Sequence, residues 1–165
     1  HIEGNAKVNI ITQNTGNSEL ETKQVLGVTE RLEIEKISKY AHIEKRDFYR
    51  NLPKEKFNVV FTSCSLHYSA NKDFTLEDKT RKLQSIVLPK GYLYIDYMMA
   101  IDEKDYENYP EFKFYRKKEI LNYFNDDWEI LSFRENNHPS FEGAHVDCVR
   151  DHFHRFGYIL ARRVK

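Results

Sequence analysis

His67 and Tyr68 are the first candidates for chemistry, because two hydrogen-bonding rings follow closely on a short apolar stretch. Histidine titrates near neutral pH and often acts as a general base, so His67 could take a proton from a substrate. The stretch before them, residues 57–61, predicts a strand buried on both faces of a sheet. Ser63 and Cys64 then provide small side chains that let a ligand come close. Since ligands of open α/β sheets bind at the carboxyl ends of the strands, we expect a site here.

A second group of candidates is a set of four histidines in the last third of the chain. They are His138, His145, His152 and His154. His152 and His154 share one face of a predicted strand, and Asp147 and Cys148 are close in the sequence. Their spacing fits no standard zinc pattern and the cysteines are not paired, so the sequence predicts no metal site. We expect His152 and His154 to line a pocket for a polar or anionic ligand instead.

Composition narrows the classes of protein to which the chain could belong. Its 165 residues predict a single domain, residues 1–165, and 26 basic side chains balance 26 acidic ones. This balance argues against nucleic-acid and membrane-surface partners, and no apolar run is long enough to span a bilayer. No secretory signal is recognisable, and two unpaired cysteines suit a reducing compartment, so we expect a cytoplasmic protein. Oligomeric state stays open.

Strand and helix patterns alternate along the first two-thirds of the chain, which predicts a mostly parallel sheet. Predicted strands lie at 8–12, 25–29, 42–48, 57–61, 92–97, 128–133 and 155–161. Predicted helices lie at 18–21, 31–40, 76–87 and 116–125, the third with Thr75 and Asp78 as its capping pair. The last two strands have only a loop between them, so we expect them to pair antiparallel. The predicted fold is α/β: a Rossmann-like, seven-stranded, mostly parallel sheet with a C-terminal antiparallel strand pair and helices on both faces.

Four stretches of the chain carry a family resemblance: FNVVFTSCSLHY, LQSIVLPKGYLYIDY, WEILSFREN and HFHRFGYILARR. In order and spacing they resemble the class I S-adenosylmethionine-dependent methyltransferases, especially the tellurite-resistance-like and related small-molecule members. The resemblance runs from about Val8 to the C-terminus. It implies S-adenosylmethionine as cofactor and methyl transfer to a small-molecule acceptor. The candidate catalytic residues are then His67 and Tyr68, and the acceptor pocket comprises Tyr97, His152 and His154.

The same resemblance implies where the cofactor binds, although the glycine-rich loop departs from the family pattern. The family's first strand leads into a GxGxG loop. Here only Gly16 is kept, and Asn14 tolerates the left-handed backbone that a glycine would adopt. Thr29 stands where an acid usually binds the ribose, and Glu30 follows one position later. Asp47 matches the acid that resembles a partner of the adenine amino group. The implied cofactor contacts are Thr12, Asn14, Gly16, Glu30, Asp47, Phe48, Ser63 and Cys64.

These assignments have structural alternatives that the residues leave open. His67 could only cap the next segment, Glu30 could be an exposed acid at a helix start, and Cys64 could be a small buried filler. Tyr97 could simply pack on the sheet, and the acidic, aromatic stretch 98–115 could be a solvated connection instead of a lid. For the whole chain, the alternative function is a non-catalytic binding module on the same fold, with a decayed cofactor site.

Overall fold

The computed structural model contains two separate β-sheets. It describes residues 8–13, 41–63, 65–66, 73–104, 106, 114–143 and 151–165. The chain divides into two compact units, residues 1–51 and 52–165, and each is described by itself. The expectation of a single domain stays a prediction. Within the described residues, no helix combines the length and the apolar composition needed to cross a membrane.

The first unit contains two strands that pair in parallel. Strand β1 (Val8–Gln13) lies beside β2 (Ala41–Arg46), with Val8 opposite Ala41 and Gln13 opposite Arg46. Both match predicted strands to within two residues. The predicted strand at 25–29 and the helices at 18–21 and 31–40 lie outside the described residues. After β2 the chain turns, and the Asn51 amide donates to the Asp47 carbonyl at 2.8 Å.

In its described residues, the second unit forms a five-stranded sheet with two short helices. Its elements are β3 (Phe57–Thr62), α1 (Leu76–Ser85), β4 (Val87–Met99), α2 (Lys117–Leu121), β5 (Trp128–Glu135), β6 (Ser140–Glu142) and β7 (His152–Arg163). The strand order is β3-β4-β7-β5, and β6 pairs with β7. The pair β3–β4 is parallel, whereas β7 is antiparallel to β4, β5 and β6. The protein is therefore a mixed α/β structure.

The prediction of one mostly parallel, seven-stranded sheet is not confirmed by the described residues. Their strands divide between two sheets, and the larger is mostly antiparallel. The reason is connectivity: parallel neighbours need a crossover, and in the second unit only β3 and β4 are parallel, with α1 between them. The predicted antiparallel pairing of the last two strands is confirmed by β5 and β7. The sequence missed β6, a short strand in a stretch that reads as a loop.

Helix α1 begins as the sequence predicts, through a reciprocal pair of hydrogen bonds. The Thr75 hydroxyl accepts from the Asp78 amide at 3.1 Å, and the Asp78 carboxylate accepts from the Thr75 amide at 3.0 Å. The helix ends at Ser85, two residues before the predicted end, because Val87 pairs with Phe57 as the first residue of β4.

Residues 89–91, which lie between the predicted helix 76–87 and the predicted strand 92–97, form a bulge inside β4. The register with β3 jumps from Phe57 opposite Val87 to Val59 opposite Tyr92, so the extra residues leave the ladder. Lys90 takes a positive φ of 66° at this point. Gly91 is required beside it, because a Cβ there would lie 2.8 Å from the carbonyl oxygens of Asn58 and Leu88.

Strand β3 is buried on one face only, so the prediction of burial on both faces is wrong. Val60 and Thr62 are buried, whereas Val59 and Phe61 are 61% and 67% exposed. Successive side chains of a strand point to opposite faces, and the described residues cover only one of them. The core therefore sits on the other face, built from Leu83, Leu93, Ile95, Tyr97, Ile120, Ile159 and Ala161.

Candidate active site at the carboxyl ends of strands β3 and β4

A buried carboxylate on β4, Asp96, lies level with the carboxyl end of β3, where the sequence predicts a site. The Ser63 hydroxyl donates to Asp96 Oδ2 at 2.8 Å, and Asp96 is only 5% exposed. The parallel register explains this contact, because Thr62 stands opposite Ile95 and the next residue of each strand is then level. The Thr62 and Ser65 hydroxyls also hydrogen-bond each other. Sequence reasoning missed Asp96, although a single acid inside the apolar run YLYIDY was a signal.

The segment that leads to His67 is anchored by its last described residue. Leu66 is fully buried, and its carbonyl accepts from Lys79 Nζ at 2.5 Å and from the Tyr115 hydroxyl at 3.2 Å. Lys79, from α1, is itself buried. Two elements far apart in sequence therefore hold the backbone immediately before His67.

Six of the predicted site residues lie outside the described part of the chain. They are Asn14, Gly16, Glu30, Cys64, His67 and Tyr68. Thr12 is a β1 residue opposite Lys45, described by its backbone alone. The structure therefore leaves the glycine-poor loop and the two candidate catalytic rings as predictions.

Asp47, in the first unit, is described and partly accessible. Its Oδ1 accepts from the Arg50 amide at 3.3 Å and its Oδ2 from Arg50 Nη1 at 2.8 Å, while 26% of the side chain is exposed. Phe48 is half-buried and meets the fully buried Tyr49 edge to face, with ring centres 5.2 Å apart. A carboxylate offers about four acceptor positions, so Asp47 keeps the capacity to accept a further hydrogen bond.

The predicted acceptor residues His152 and His154 come together on β7, and both are buried. Their ring centres lie 5.4 Å apart. Glu142 of β6, which the sequence did not single out, stands directly opposite His152. Its Oε2 is 3.4 Å from His152 Nε2 and 3.8 Å from His154 Nδ1.

Tyr97 is separated from this histidine pair. It stands opposite Gly157 in the β4–β7 ladder, on the face that Gly157 shares with Ile159, whereas His154 is three positions from Gly157 on the alternating strand. Tyr97 is fully buried and its hydroxyl has no hydrogen-bond partner among the described residues. Burial, and secondarily the negative charge of Glu135, raises the pKa of the Tyr97 phenol, which is therefore protonated at neutral pH.

A row of aromatic side chains leads from β3 across the sheet to the histidines. Phe61 stacks on Tyr94 with ring centres 4.7 Å apart, and Tyr94 lies 6.3 Å from Tyr158. Phe156 follows at 6.4 Å from Tyr158 and meets His154 edge to face at 4.8 Å. Rings that continue across three strands give this sheet face flat, apolar surfaces suited to a small organic ligand.

The described part of stretch 98–115 is packed onto the protein. Met98 and Met99 belong to β4, and the Tyr115 amide donates to the Met98 carbonyl at 2.9 Å. Tyr106 meets Phe114 edge to face, with 6.1 Å between ring centres. The predicted lid aromatics Tyr109 and Phe112 lie outside the described residues.

Tyr106 is also held by Arg116, the residue that precedes helix α2. The Arg116 guanidinium lies 3.7 Å from the centre of the Tyr106 ring. Its Nε and Nη2 both donate to Glu103 Oε2, at 3.2 and 2.6 Å. These contacts hold the two described ends of the stretch together.

A shallow depression of about 180 Å³ lies at the opposite edge of the sheet. It is lined by Arg81, Gln84, Ser85, Asn125, Asp127, Trp128 and Arg163. Trp128 begins β5 and Arg163 ends β7, so this edge is the amino end of β4. The depression is smaller than the roughly 300 Å³ of a typical small-molecule pocket, and it lies away from the ligand edge of an α/β sheet.

Comparisons with known proteins identify the fold. No protein-family model matches the chain, and no curated protein sequence does. Among solved structures, TehB from Haemophilus influenzae is similar at 16% identity and a TM-score of 0.65, over 95% of this chain and 50% of TehB. This chain thus spans half the length of TehB.

Two further structures show how varied the proteins on this fold are. A geranyl diphosphate methyltransferase, solved with geranyl diphosphate and sinefungin, is 10% identical with a TM-score of 0.61, over 99% of this chain and 73% of its own. The [4+2]-cyclase SpnF is 12% identical with a TM-score of 0.58, over 96% of this chain and 75% of its own.

Proposed function

We propose that this chain, which has the class I S-adenosylmethionine-dependent methyltransferase fold, transfers a methyl group from S-adenosylmethionine to a small-molecule acceptor. The observation that supports the proposal most directly is the match to geranyl diphosphate methyltransferase over 99% of this chain. That protein was solved with sinefungin and also with S-adenosylmethionine. The bound sulfonium makes its methyl group electrophilic, so the protein's main task is to hold the acceptor in line and away from water.

On the cofactor side, the first unit offers Asp47 as the acceptor for the adenine amino group. Its carboxylate is partly exposed and retains acceptor capacity beyond its two bonds to Arg50. The loop from Thr12 to Gly16 would approach the amino-acid part of the cofactor, and Glu30 would bind the ribose. Phe48, half-buried beside Asp47, would cover one face of the adenine.

On the acceptor side, the second unit offers the edge formed by Ser63 and Cys64, followed by His67 and Tyr68. The Leu66 carbonyl, the last described group before this pair, is held by buried hydrogen bonds from Lys79 and Tyr115. If the acceptor atom carries a proton, His67 would serve as the general base that takes it, and the bound cofactor would supply the electrophilic methyl group.

The remaining acceptor contacts would come from β7 and β4. The aromatic row ends at His154, and His152 extends it by one more ring. Tyr97, the third predicted acceptor residue, is fully buried and lies on the opposite face of the β4–β7 ladder, so it would not contact an acceptor bound on this row. A balanced charge and only two cysteines, which form no CxxC motif, favour a cytoplasmic protein whose partner is a small molecule.

Titration calorimetry with S-adenosylhomocysteine and with sinefungin tests the proposal directly. We expect one molecule bound per chain, and Asp47→Ala should weaken binding by about 1–3 kcal/mol, or roughly 5- to 150-fold, through loss of a charged acceptor. The matched control is Arg50→Ala, which removes the same ion pair but keeps the Asp47 carboxylate. It should bind like the wild type. Absence of binding at millimolar cofactor in a folded wild-type chain would instead favour the non-catalytic binding module.

A further inference from the structure

We propose that Glu142, His152 and His154 form a binding site for a divalent transition-metal ion, with Zn²⁺ as its best occupant. The proposal is independent of methyl transfer, because it depends only on the hairpin of β6 and β7. It also departs from the sequence-based expectation of no metal, which considered the histidine spacing without Glu142.

Strand pairing brings the three side chains together. Antiparallel β6 and β7 place Glu142 opposite His152 and Ser140 opposite His154. Opposed residues on one face of such a pair have Cβ atoms about 4.5–5.5 Å apart, and His154 is the next residue on that face of β7. Two imidazoles and one carboxylate therefore point to a common volume.

The distances between the candidate ligand atoms are close to those of a metal site. All three lie within 4.8 Å of one another, with Glu142 Oε2 at 3.4 Å from His152 Nε2 and 3.8 Å from His154 Nδ1. Tetrahedral ligands about 2.1 Å from Zn²⁺ are separated by about 3.4 Å. The two carboxylate distances are at or near this value, and the two imidazole nitrogens, which lie within 4.8 Å of each other, would move together on binding an ion.

The same distances are long for hydrogen bonds between these groups. An N–H···O bond spans about 2.7–3.2 Å, so the carboxylate sits between the two imidazoles without closing on either. An ion placed between the three atoms would draw them together and neutralise the carboxylate.

Burial gives the site a rigid side and an open side. The side chains of His152 and His154 are 2% and 4% exposed, whereas that of Glu142 is 44% exposed. The His154 ring is held edge-on against Phe156 at 4.8 Å. An ion bound here would therefore have two buried imidazole ligands and one carboxylate ligand that is partly accessible to solvent.

The ligand set selects the class of ion. Two imidazoles with one carboxylate suit Zn²⁺ and the neighbouring first-row divalent ions, and His₂Glu is a known set for zinc with an open position. Mg²⁺ and Ca²⁺ prefer an all-oxygen environment, so they should bind poorly here.

Metal titration of the chelator-stripped full chain tests the site. We expect one Zn²⁺ per chain in competition with a chromophoric chelator, a visible absorption band of low-symmetry Co²⁺ on titration with cobalt, and no response to Mg²⁺. His152→Ala, His154→Ala and Glu142→Gln should each weaken Zn²⁺ binding by at least about tenfold, because even partners of metal ligands cost 10- to 100-fold. His138→Ala, which removes an exposed histidine, is the matched control and should bind Zn²⁺ like the wild type.

Glu142→Gln keeps the proposal falsifiable if a histidine variant does not fold, since Glu142 is half-exposed and glutamine has its shape. Thermal melts would confirm that this variant is folded, and Zn²⁺ should raise the melting temperature of the wild type more than that of the variant. Zn²⁺ binding that survives unchanged in Glu142→Gln and in both histidine variants would place the ion elsewhere and overturn the proposal. Absence of stoichiometric Zn²⁺ binding to the wild type would overturn it as well.

Discussion

Replacing Gly157 with alanine should destabilise the protein through a single clash across the β4–β7 ladder. Gly157 stands opposite Tyr97, and the three atoms nearest to a Cβ built on it are Cζ, Oη and Cε1 of that tyrosine. All three would overlap the new methyl group. The Tyr97 ring is fully buried, so it has no free direction in which to move.

The magnitude follows from two opposing contributions. Overpacking a well-filled core costs about 1–3 kcal/mol, and a ring that cannot move places this case in the upper half of that range. Alanine also restricts the unfolded chain more than glycine does, and this effect stabilises the folded protein by about 0.4–1 kcal/mol. A net loss of about 1–2.6 kcal/mol should lower the melting temperature by roughly 2–10 °C for a chain of this size.

Thermal and urea denaturation followed by circular dichroism measure this loss. The control is Gly143→Ala, where the nearest atom to the new Cβ would be Asp151 Oδ1 at an ordinary 3.8 Å. We expect a change within about 0.5 kcal/mol there. In a Tyr97→Leu background, which lacks the three overlapping ring atoms, Gly157→Ala should be nearly neutral. An equal loss in both backgrounds would refute the clash and point to the backbone of β7.

Two other predictions concern helix α1 and the segment before His67. Thr75→Ala should cost about 0.5–2 kcal/mol of unfolding free energy through loss of the N-cap. The Thr75 side-chain hydrogen bond lowers the pKa of Asp78 below 3.8, so the contribution of this carboxylate is present above pH 3.8 and is lost as pH falls through the lowered value. The difference between the melts of wild type and variant should therefore narrow in acid, and a constant difference would show that the Asp78 carboxylate contributes nothing to the cap. Tyr115→Phe should cost only about 0.5–1.5 kcal/mol in urea denaturation, because Lys79 still donates to the Leu66 carbonyl. A loss of several kcal/mol would contradict this, because it would show that the bond from Lys79 is not enough to satisfy the Leu66 carbonyl when the Tyr115 hydroxyl is removed.

In the candidate site, the sequence predicted the features that depend on neighbouring residues but not the contacts between distant segments. Sequence reasoning found the edge after β3 because a run of apolar residues followed by small ones is visible within twelve positions. It did not find Lys79 or Tyr115, which meet at the Leu66 carbonyl from separate elements. A buried lysine on an otherwise polar helix looks like a surface residue until the carbonyl that accepts from it is known.

The sequence by itself determined the local features of this protein. The capping box of Thr75 and Asp78, the cores of β3, β5 and β7, and the backbone break at residues 89–91 all depend on neighbours a few positions apart. Hydrogen bonds and side-chain alternation within one element leave a readable pattern, so these features were predicted to within a few residues.

Only the tertiary structure decided the pairings between elements. The contact of Ser63 with Asp96 and the alignment of Glu142 with His152 follow from strand register. So does the antiparallel majority of the second sheet, which the alternation of strands and helices did not foretell. The register that a sheet adopts is the one with the lowest free energy for all its strands together, counting both the hydrogen bonds between strands and the burial of one face. This total depends on several distant segments, so it cannot be read from any single stretch of sequence.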